Sequence, residues 1–324
     1  MYYYFAPMDG ITDNIYRKLV WKHFPYWDKL YAPFIQPNDK PVIVPKEEYE
    51  VHPDNNRGIP VVPQILTCDA KGFIKVGKIL EEYGYDEINL NLGCPAKIII
   101  SKGKGAGMLA DAYYLNVFLD EIFNNDWKAK ITVKSRLGLT ENADFIEIME
   151  AFSRYPIDEL TIHPRFRTDF YNGKPRLVEF DKVFSILEKS PNKTMKVCYN
   201  GNVNTIKDVE YIIKRYPTIN SIMLGRGALA NPAIIRILKG GKEITLNEFK
   251  SFHDDVLNSY SEVGFKDKIL MYKMKEMWNY WSDLVDCDID VLRRLRLSEN
   301  VEQYNIAMNE IYENWKLKDN NGIV

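Results

Sequence analysis

The feature that most constrains the fold is an alternation of short apolar segments with amphipathic ones over residues 1–241. Eight segments predict strands, because each is a nearly continuous apolar run, as in strands covered on both faces. They are YYYFAPM (2–8), KLYAPFI (29–35), VVPQIL (61–66), EINLNL (87–92), KITVKSR (130–136), ELTIHP (159–164), MKVCYN (195–200) and SIMLGR (221–226). Between most of them apolar residues recur every three or four positions, which predicts helices such as 111–123, 145–155 and 205–216.

Eight strand–helix units predict an α/β protein with a closed (β/α)8 TIM barrel. The alternation alone also permits an open, doubly wound sheet. From residue 242 the pattern changes to helical segments without strands between them, and Thr245 precedes Leu-Asn-Glu, a pattern typical of a helix cap. We therefore expect a barrel domain over 1–241 and a small all-helical domain over 242–324.

Composition excludes several classes of protein. The sequence contains no apolar run of about 18 residues, so we expect no membrane span, and the N-terminus does not have the pattern of a secretory signal. The four cysteines are scattered without a C-x-x-C pair. They argue against a disulfide framework or a zinc site and favour the cytoplasm. A net charge of −2 means that any RNA contact must come from a local basic face.

Barrel enzymes carry their chemistry at the carboxyl ends of the strands. The last two predicted ends suit a phosphate, because Gly201, Gly225 and Gly227 let backbone N–H groups approach an anion and Arg226 adds charge. A helix expected to begin near residue 231 would present its positive end to the same anion. The alternative is that these glycines only form turns.

Lys134 lies inside a predicted strand between apolar neighbours, where an unpaired ammonium is costly. It either forms a structural salt bridge or faces an electron-rich heterocycle and stabilises negative charge on it. Gln64 and His163 also fall at strand ends and could hydrogen-bond the same ring system. Together with a phosphate site, these groups suit flavin mononucleotide (FMN).

Cys94 follows Gly93 and precedes a loop that contains Lys97, Lys102 and Lys104. Most lone cysteines are buried and structural. At this position we expect an accessible thiol surrounded by positive charge, which favours the thiolate, although a thiol can also donate a proton. The other cysteines are expected to be inert, with Cys68 the least certain of them because it lies just past Gln64.

Taken together, these motifs resemble the tRNA-dihydrouridine synthase family over most of residues 4–240. The matching segments are FAPMDGITD, INLNLGCPAK, GKGAGMLAD, VKSRLG, IHPRFRTDFYNGK, NGNV and MLGRGALANP, in that order. The helical tail fits the family's RNA-binding domain by size and position. Three positions depart from the family pattern: Asp9, Tyr199 and the apolar segment AKIIIS.

The resemblance implies that NADPH reduces FMN, that the flavin delivers a hydride to C6 of a flipped-out uridine in tRNA, and that Cys94 protonates C5. It implies that Asn91 orients flavin and substrate and that Arg136 and Arg165 lie near the uracil or the RNA backbone. It also implies a set of flavin and phosphate contacts, namely Pro7, Met8, Gln64, Lys134, His163, Asn200, Gly201, Gly225 and Arg226. No metal and no protein partner is implied, and a monomer is expected.

Three other functions remain open at this stage. The chain could act on ribosomal RNA in place of tRNA, or it could be an FMN barrel that reduces a free pyrimidine or an enone. It could also be an RNA-binding protein that has lost catalysis. The basic cluster RRLRL (293–297) could face RNA or could equally be a solvated helix face.

Overall fold

The computed structural model describes residues 1–40, 42–141 and 145–319. Eight parallel strands close into a barrel in sequence order, so the prediction of a barrel is confirmed and the open sheet is excluded. The last strand closes the barrel by pairing with the first, Met223 opposite Tyr4. The strands are β1 (Tyr2–Phe5), β2 (Lys29–Ile35), β3 (Val61–Ile65), β4 (Glu87–Leu92), β5 (Lys130–Gly138), β6 (Glu159–Phe166), β7 (Lys196–Tyr199) and β8 (Ser221–Leu224).

Helices connect the strands on the outside of the barrel. They are α1 (Asn14–His23), α2 (Pro45–Val51), α3 (Ala70–Glu82), α4 (Lys97–Ile100), α5 (Ala112–Phe123), α6 (Phe145–Ser153), α7 (Leu177–Glu188) and α8 (Ile206–Arg215), with α9 (Arg226–Ala230) and α10 (Ile234–Leu238) after β8. Several begin where a short polar side chain accepts first-turn N–H groups, namely those of Asp13, Asp69, Asp111 and Thr205.

The helix expected near residue 231 begins earlier, at Arg226, directly after β8. Asn231 ends this short helix, and α10 begins three residues later at Ile234. Pro232 lies between the two, and because proline has no N–H it interrupts a helix rather than continuing it. The Asn-Pro pair therefore marks the end of one helix and not the start of the segment.

The inner faces of the strands are more polar than the sequence suggested. On β4, Ile88 and Leu90 point outward into the main apolar core between strands and helices. Their neighbours Glu87, Asn89 and Asn91 form hydrogen bonds with side chains of other strands inside the barrel. The expectation of strands that are apolar on both faces is wrong here, because alternate residues face a barrel interior that holds a hydrogen-bonded network.

The amino-terminal end of the barrel interior is closed by a charged layer that we call the floor: Lys29, Glu87, Glu159 and Ser221. These are the first residues of β2, β4, β6 and β8, and four side chains from alternate strands form one layer in this fold. Lys29 Nζ lies 2.6 Å from Glu87 Oε2 and 3.3 Å from Glu159 Oε2. Ser221 Oγ donates to Glu159 Oε1 at 2.5 Å. The same carboxylates accept hydrogen bonds from two tyrosine hydroxyls, those of Tyr31 and Tyr4.

Beyond the barrel, the described residues form α11 (Leu246–Glu262), α12 (Asp267–Trp281), α13 (Ile289–Leu297) and α14 (Val301–Glu313). The predicted Thr245 cap is confirmed, since its side chain accepts from the Glu248 N–H. Lys273 of α12 donates to the Gly10 carbonyl at 2.5 Å and to Asp13 at 3.0 Å, which ties these helices to the β1–α1 loop. In the described part of the chain no helix is both long and apolar enough to span a bilayer. The domain boundary at 241/242 stays a prediction.

Candidate active site

A cavity of about 830 Å³ opens at the carboxyl ends of the strands. Eight of the nine predicted cofactor contacts line it: Pro7, Met8, Lys134, His163, Asn200, Gly201, Gly225 and Arg226. The ninth, Gln64, is fully buried and bonded to Asn91. The closed barrel therefore brings together residues that are more than 200 positions apart in the sequence, as this fold does with strand ends.

The loops after β7 and β8 form one wall of the cavity. Asn200 is held by a hydrogen bond from its amide to the Met223 carbonyl at 2.8 Å. A Cβ on Gly201 would lie 2.0 Å from the Tyr199 hydroxyl oxygen, so only glycine fits above that buried ring. Among the described residues, the N–H groups of Gly201 and Asn202 have no hydrogen-bond acceptor. Unpaired N–H groups beside Arg226 are what an anion such as phosphate requires.

Lys134 lines the same cavity from β5. Burial and the nearby Arg136 guanidinium lower the pKa of Lys134 to about 8. Within the part of the chain that the structure describes, no carboxylate pairs with its ammonium group, so the salt-bridge alternative has no partner there. An ammonium held without a counter-charge is suited to a ligand that brings negative charge.

His163 is buried beside Lys134, and burial together with the surrounding arginines lowers its pKa well below the usual range. Arg165 donates from Nη1 to His163 Nε2 at 2.8 Å. A guanidinium can only donate, so Nε2 is an acceptor, and the neutral ring carries its proton on Nδ1. His163 thus offers one N–H donor with a defined orientation. Burial and Arg226 lower the pKa of Arg165 to about 10.

The predicted RNA contacts Arg136 and Arg165 are both buried and bind backbone carbonyls. Arg136 donates to Gly93 O at 3.0 Å and to Phe170 O at 2.9 Å, and Arg165 donates to Gly173 O at 2.6 Å. They fix the loops after β4 and β6. A contact of either residue with RNA stays a prediction.

Sequence reasoning missed two residues of this site. Tyr171 lies in the loop after β6, half exposed, with the Arg136 guanidinium 5.4 Å and the Arg226 guanidinium 5.2 Å from its ring centroid. Asn202 accepts from Arg226 at 2.9 Å and from Arg165 at 3.3 Å. An aromatic residue next to Asn-Gly in a strand-end loop was the feature that could have indicated Tyr171.

Cys94 is half-buried in the loop after β4. Burial raises the pKa of its thiol, and the carboxylate of Asp9 raises it further, while Arg136 and Lys134 act in the opposite direction. The three loop lysines are not among the main charges that act on this thiol: Lys97 and Lys102 are exposed, and Lys104 donates to Gln36 Oε1 at 3.4 Å. The favoured state is the protonated thiol, because desolvation penalises the thiolate more than the nearby cations stabilise it.

The family described as dihydrouridine synthase (Dus) matches residues 4–310. This chain belongs to the dihydrouridine synthase family. It is therefore an oxidoreductase of a family whose curated relatives are named tRNA-dihydrouridine synthases.

Two such relatives illustrate the likeness. A tRNA-dihydrouridine(16) synthase from Vibrio vulnificus is 25% identical over 312 residues, 92% of this chain and 93% of the relative. A tRNA-dihydrouridine synthase B from Pasteurella multocida is 27% identical over 237 residues, 73% of this chain and 68% of the relative. The match to the Vibrio relative extends over the helical region as well as the barrel.

Among solved structures the chain resembles morphinone reductase, with a TM-score of 0.52 and 9% identity over 76% of this chain and 88% of that one. It also resembles DHODH from Eimeria tenella, with a TM-score of 0.51 and 14% identity over 85% and 84% of the two chains. At these identities the likeness concerns the barrel fold alone.

Membership of the dihydrouridine synthase family implies a flavin cofactor, and the residues present fit one. The cavity combines a glycine loop that no larger residue could form, an unpaired ammonium group and a neutral histidine donor. The donor set is that of an organic anion site rather than a metal centre. No group of three His, Cys, Asp or Glu side chains suited to a metal ion occurs in the described ranges.

Proposed function

We propose that this enzyme reduces uridine in tRNA to 5,6-dihydrouridine with FMN as cofactor and NADPH as reductant. One observation carries the proposal: the half-buried Cys94 thiol, whose pKa is raised by burial, interacts electrostatically with Lys134, and Lys134 lines a cavity with an open phosphate cradle. A protonated thiol is a proton donor and a poor nucleophile at neutral pH. The reaction adds a hydride to one carbon of the uracil and a proton to the next, so it requires such a donor.

The residues that would hold FMN are those of the cavity. The N–H groups of Gly201 and Asn202 and the exposed Arg226 guanidinium would bind its phosphate. Pro7 and Met8, from the β1–α1 loop, would contact its ring system. When bound, FMN reduced by NADPH supplies the hydride that reaches C6 of the uracil.

Lys134 and His163 would set the electronic environment of that ring system. The ammonium of Lys134 has no counter-charge among the described residues, so it stabilises negative charge that develops on a ligand beside it. His163 donates from Nδ1, since Arg165 occupies Nε2. Both side chains come from neighbouring strands, β5 and β6, and therefore keep a fixed separation.

Cys94 would transfer its proton to C5 of the uracil, and the thiolate left behind regains a proton from solvent. The position of Cys94 is defined by backbone contacts. Asn91 Oδ1 accepts from the N–H groups of Gly93 and Cys94, each at 3.0 Å. A Cβ on Gly105 would lie 2.9 Å from the Cys94 Cβ, so the following loop packs directly against the cysteine.

A uridine stacked inside folded RNA cannot reach this cavity, so the target base must be turned out into the mouth of the barrel. Exposed cations would bind the phosphates around it. Lys97 begins α4 directly after the Cys94 loop, Lys102 follows that helix, and α13 carries Arg293 and Arg296 on its exposed side. We propose the α11–α14 region as the RNA-binding part of the enzyme on this basis.

The decisive experiment maps dihydrouridine across total RNA from a strain that lacks the gene, before and after complementation. The expected result is loss of specific tRNA sites, restored by the wild-type gene and by Cys68→Ala but not by Cys94→Ala. Cys68→Ala is the matched control because the Cys68 thiol is exposed and, among the residues that the structure describes, bonds only to the Lys102 carbonyl. Full rescue by Cys94→Ala would refute the proton-donor role.

The same map decides between the other functions. Loss of ribosomal sites only would assign the activity to rRNA, and an unchanged map would favour a reductase of a free pyrimidine or an enone. Purified protein that stays colourless after addition of FMN would point to an RNA-binding protein without catalysis.

A further inference from the structure

Inside the barrel, a continuous chain of hydrogen bonds joins the floor to the Cys94 loop. Thr132 Oγ1 donates to Glu87 Oε1 at 3.1 Å, and Asn89 Nδ2 donates to Thr132 Oγ1 at 2.9 Å. Gln64 Nε2 donates to Asn89 Oδ1 at 2.7 Å, and Asn91 Nδ2 donates to Gln64 Oε1 at 2.7 Å. All of these side chains are more than 90% buried, so water does not compete for their donors and acceptors.

The floor determines which group donates and which accepts in each of these hydrogen bonds. A carboxylate has no proton, so Glu87, which is paired with Lys29, can only accept. Thr132 must then donate to Glu87, and its oxygen is left to accept from the NH2 group of Asn89. The next two hydrogen bonds follow in the same way. Because the Asn89 NH2 group donates to Thr132, its oxygen accepts from the Gln64 NH2 group, and the Gln64 oxygen then accepts from the Asn91 NH2 group.

At the upper end, only the oxygen of Asn91 remains for the Cys94 loop. It accepts the N–H groups of Gly93 and Cys94, each at 3.0 Å. A reversed Asn91 amide would place its NH2 group against two other donors, and the loop would have to move. Arg136 Nε holds the other side of the same peptide segment by donating to Gly93 O at 3.0 Å.

We propose that Glu87 is a positioning residue, which acts through Thr132, Asn89 and Gln64 to fix the orientation of Asn91 and so the place of Cys94. The inference rests on the proposed function of Cys94 as proton donor. This series of hydrogen bonds connects Glu87 with Asn91, both on β4. At about 3.3 Å per residue, they lie about 13 Å apart along the strand. Glu87 therefore acts on the site without touching flavin or substrate.

The structure offers a matched pair of variants for a test. Thr132→Val removes the hydroxyl that links Glu87 to Asn89 and leaves the Lys29–Glu87 ion pair in place. Tyr31→Phe removes a different hydroxyl, which donates to the same Glu87 oxygen at the same distance of 3.1 Å but leads to no part of the Cys94 loop. A structural role for Glu87 predicts similar effects of the two variants, whereas a positioning role predicts different ones.

The experiment uses the full-length holoenzyme and three readouts. The rate of Cys94 alkylation by iodoacetamide is followed against pH by mass spectrometry of the Cys94 peptide. Flavin content is read from the visible spectrum, and kcat and KM are measured with tRNA. We expect Thr132→Val to shift the alkylation pH profile and to lower kcat about 10–100-fold, because a displacement of about 1 Å of a catalytic group costs up to about 100-fold. KM and flavin content should stay within about twofold in Thr132→Val, as expected when an interaction specific to the transition state is lost.

Tyr31→Phe should keep the wild-type profile and kcat, and Thr132→Ser, which retains the hydroxyl, should restore both. Equal behaviour of Thr132→Val and Tyr31→Phe would overturn the proposal, as would a Thr132→Ser variant no better than Thr132→Val. The alkylation profile does not depend on turnover. A wild-type enzyme without dihydrouridine activity would therefore refute the proposed function, while the profiles would still decide whether Glu87 positions the thiol.

Discussion

The floor and the mouth of the barrel are both lined by charged side chains. At the floor, opposite charges are paired with each other, whereas at the mouth positive charges lie together without carboxylate partners among the described residues. At the floor, Lys29 lies between Glu87 and Glu159, and hydroxyl groups supply the remaining hydrogen bonds. At the mouth, which we define as Lys134, Arg136, His163, Arg165 and Arg226, the four lysine and arginine side chains all carry positive charge, and the histidine between them is neutral. In the described part of the chain none of these cations forms an ion pair with a carboxylate.

This difference indicates that the charges of the floor have a structural role, whereas those of the mouth suit the binding of a ligand. A buried ion pair whose partners are both present adds little net stability, but removal of one partner is costly. Cations left without a partner destabilise the free protein and strengthen the binding of an anion. The charges of the floor are therefore neutralised within the folded chain. We infer that those of the mouth are neutralised only when an anionic ligand binds.

The largest expected effect comes from Lys29→Met. The variant would leave Glu87 and Glu159 facing each other in the barrel interior, and loss of one partner of a buried ion pair costs about 3–5 kcal/mol. We expect the free energy of unfolding of the apoprotein, measured by urea denaturation, to fall by this amount. Lys134→Met is the matched variant at the mouth and should not lower it. An equal loss in both variants would contradict the comparison.

The second effect concerns affinity. Lys134→Met should weaken FMN binding by about 10–100-fold, since it removes a charged partner of the ligand worth roughly 1.5–3 kcal/mol. Titration of the apoprotein with FMN, followed by quenching of flavin fluorescence, measures this change. An unchanged dissociation constant would mean that Lys134 does not face the flavin.

The third effect is a pH dependence with a defined sign. Burial lowers the pKa of Lys134 to about 8, against an ordinary value of 10.5. Between these two values the folded protein releases the proton while the unfolded chain retains it, so stability rises with pH. The wild-type apoprotein should therefore gain about 2–3 kcal/mol relative to Lys134→Met between pH 8 and 10.5. Urea denaturation of both proteins across this range is the measurement, and a constant difference would contradict it.

The smallest effect is expected from inorganic phosphate. An anion that binds only the folded protein adds about 1.4 kcal/mol of stability at ten times its dissociation constant. Thermal unfolding of the apoprotein in increasing phosphate, at constant ionic strength set with chloride, should show this gain. Arg226→Gln should lose most of it, whereas a variant with Arg293→Gln, far along the chain on α13, should keep it.

The mouth was largely predictable from the sequence and the floor was not. Strand-end residues such as Lys134, His163 and Gly201 follow apolar runs, and the fold class then predicts that they meet. The floor residues Glu87 and Glu159 also lie at strand boundaries, but at the amino-terminal ends, where a charged residue is ordinarily a solvated turn position. Only closure of the barrel brings them into one buried layer.

The environment of Cys94 was only partly predictable for a related reason. Positive charge was expected from three lysines near it in sequence, but those side chains point to solvent or to Gln36. The charges that act on the thiol come from Arg136, Lys134 and Asp9, which are distant in sequence. Composition of a loop indicates which charges it carries, whereas the direction of each side chain depends on packing.

The contact between Lys273 and the Gly10 carbonyl has a consequence for how the molecule is made. Synthesis proceeds from the N-terminus, so all eight strands leave the ribosome before the lysine that secures the loop carrying Met8. Until α12 has been translated and has docked, one wall of the pocket lacks its anchor. We therefore expect the cofactor to bind only late in the synthesis of the chain.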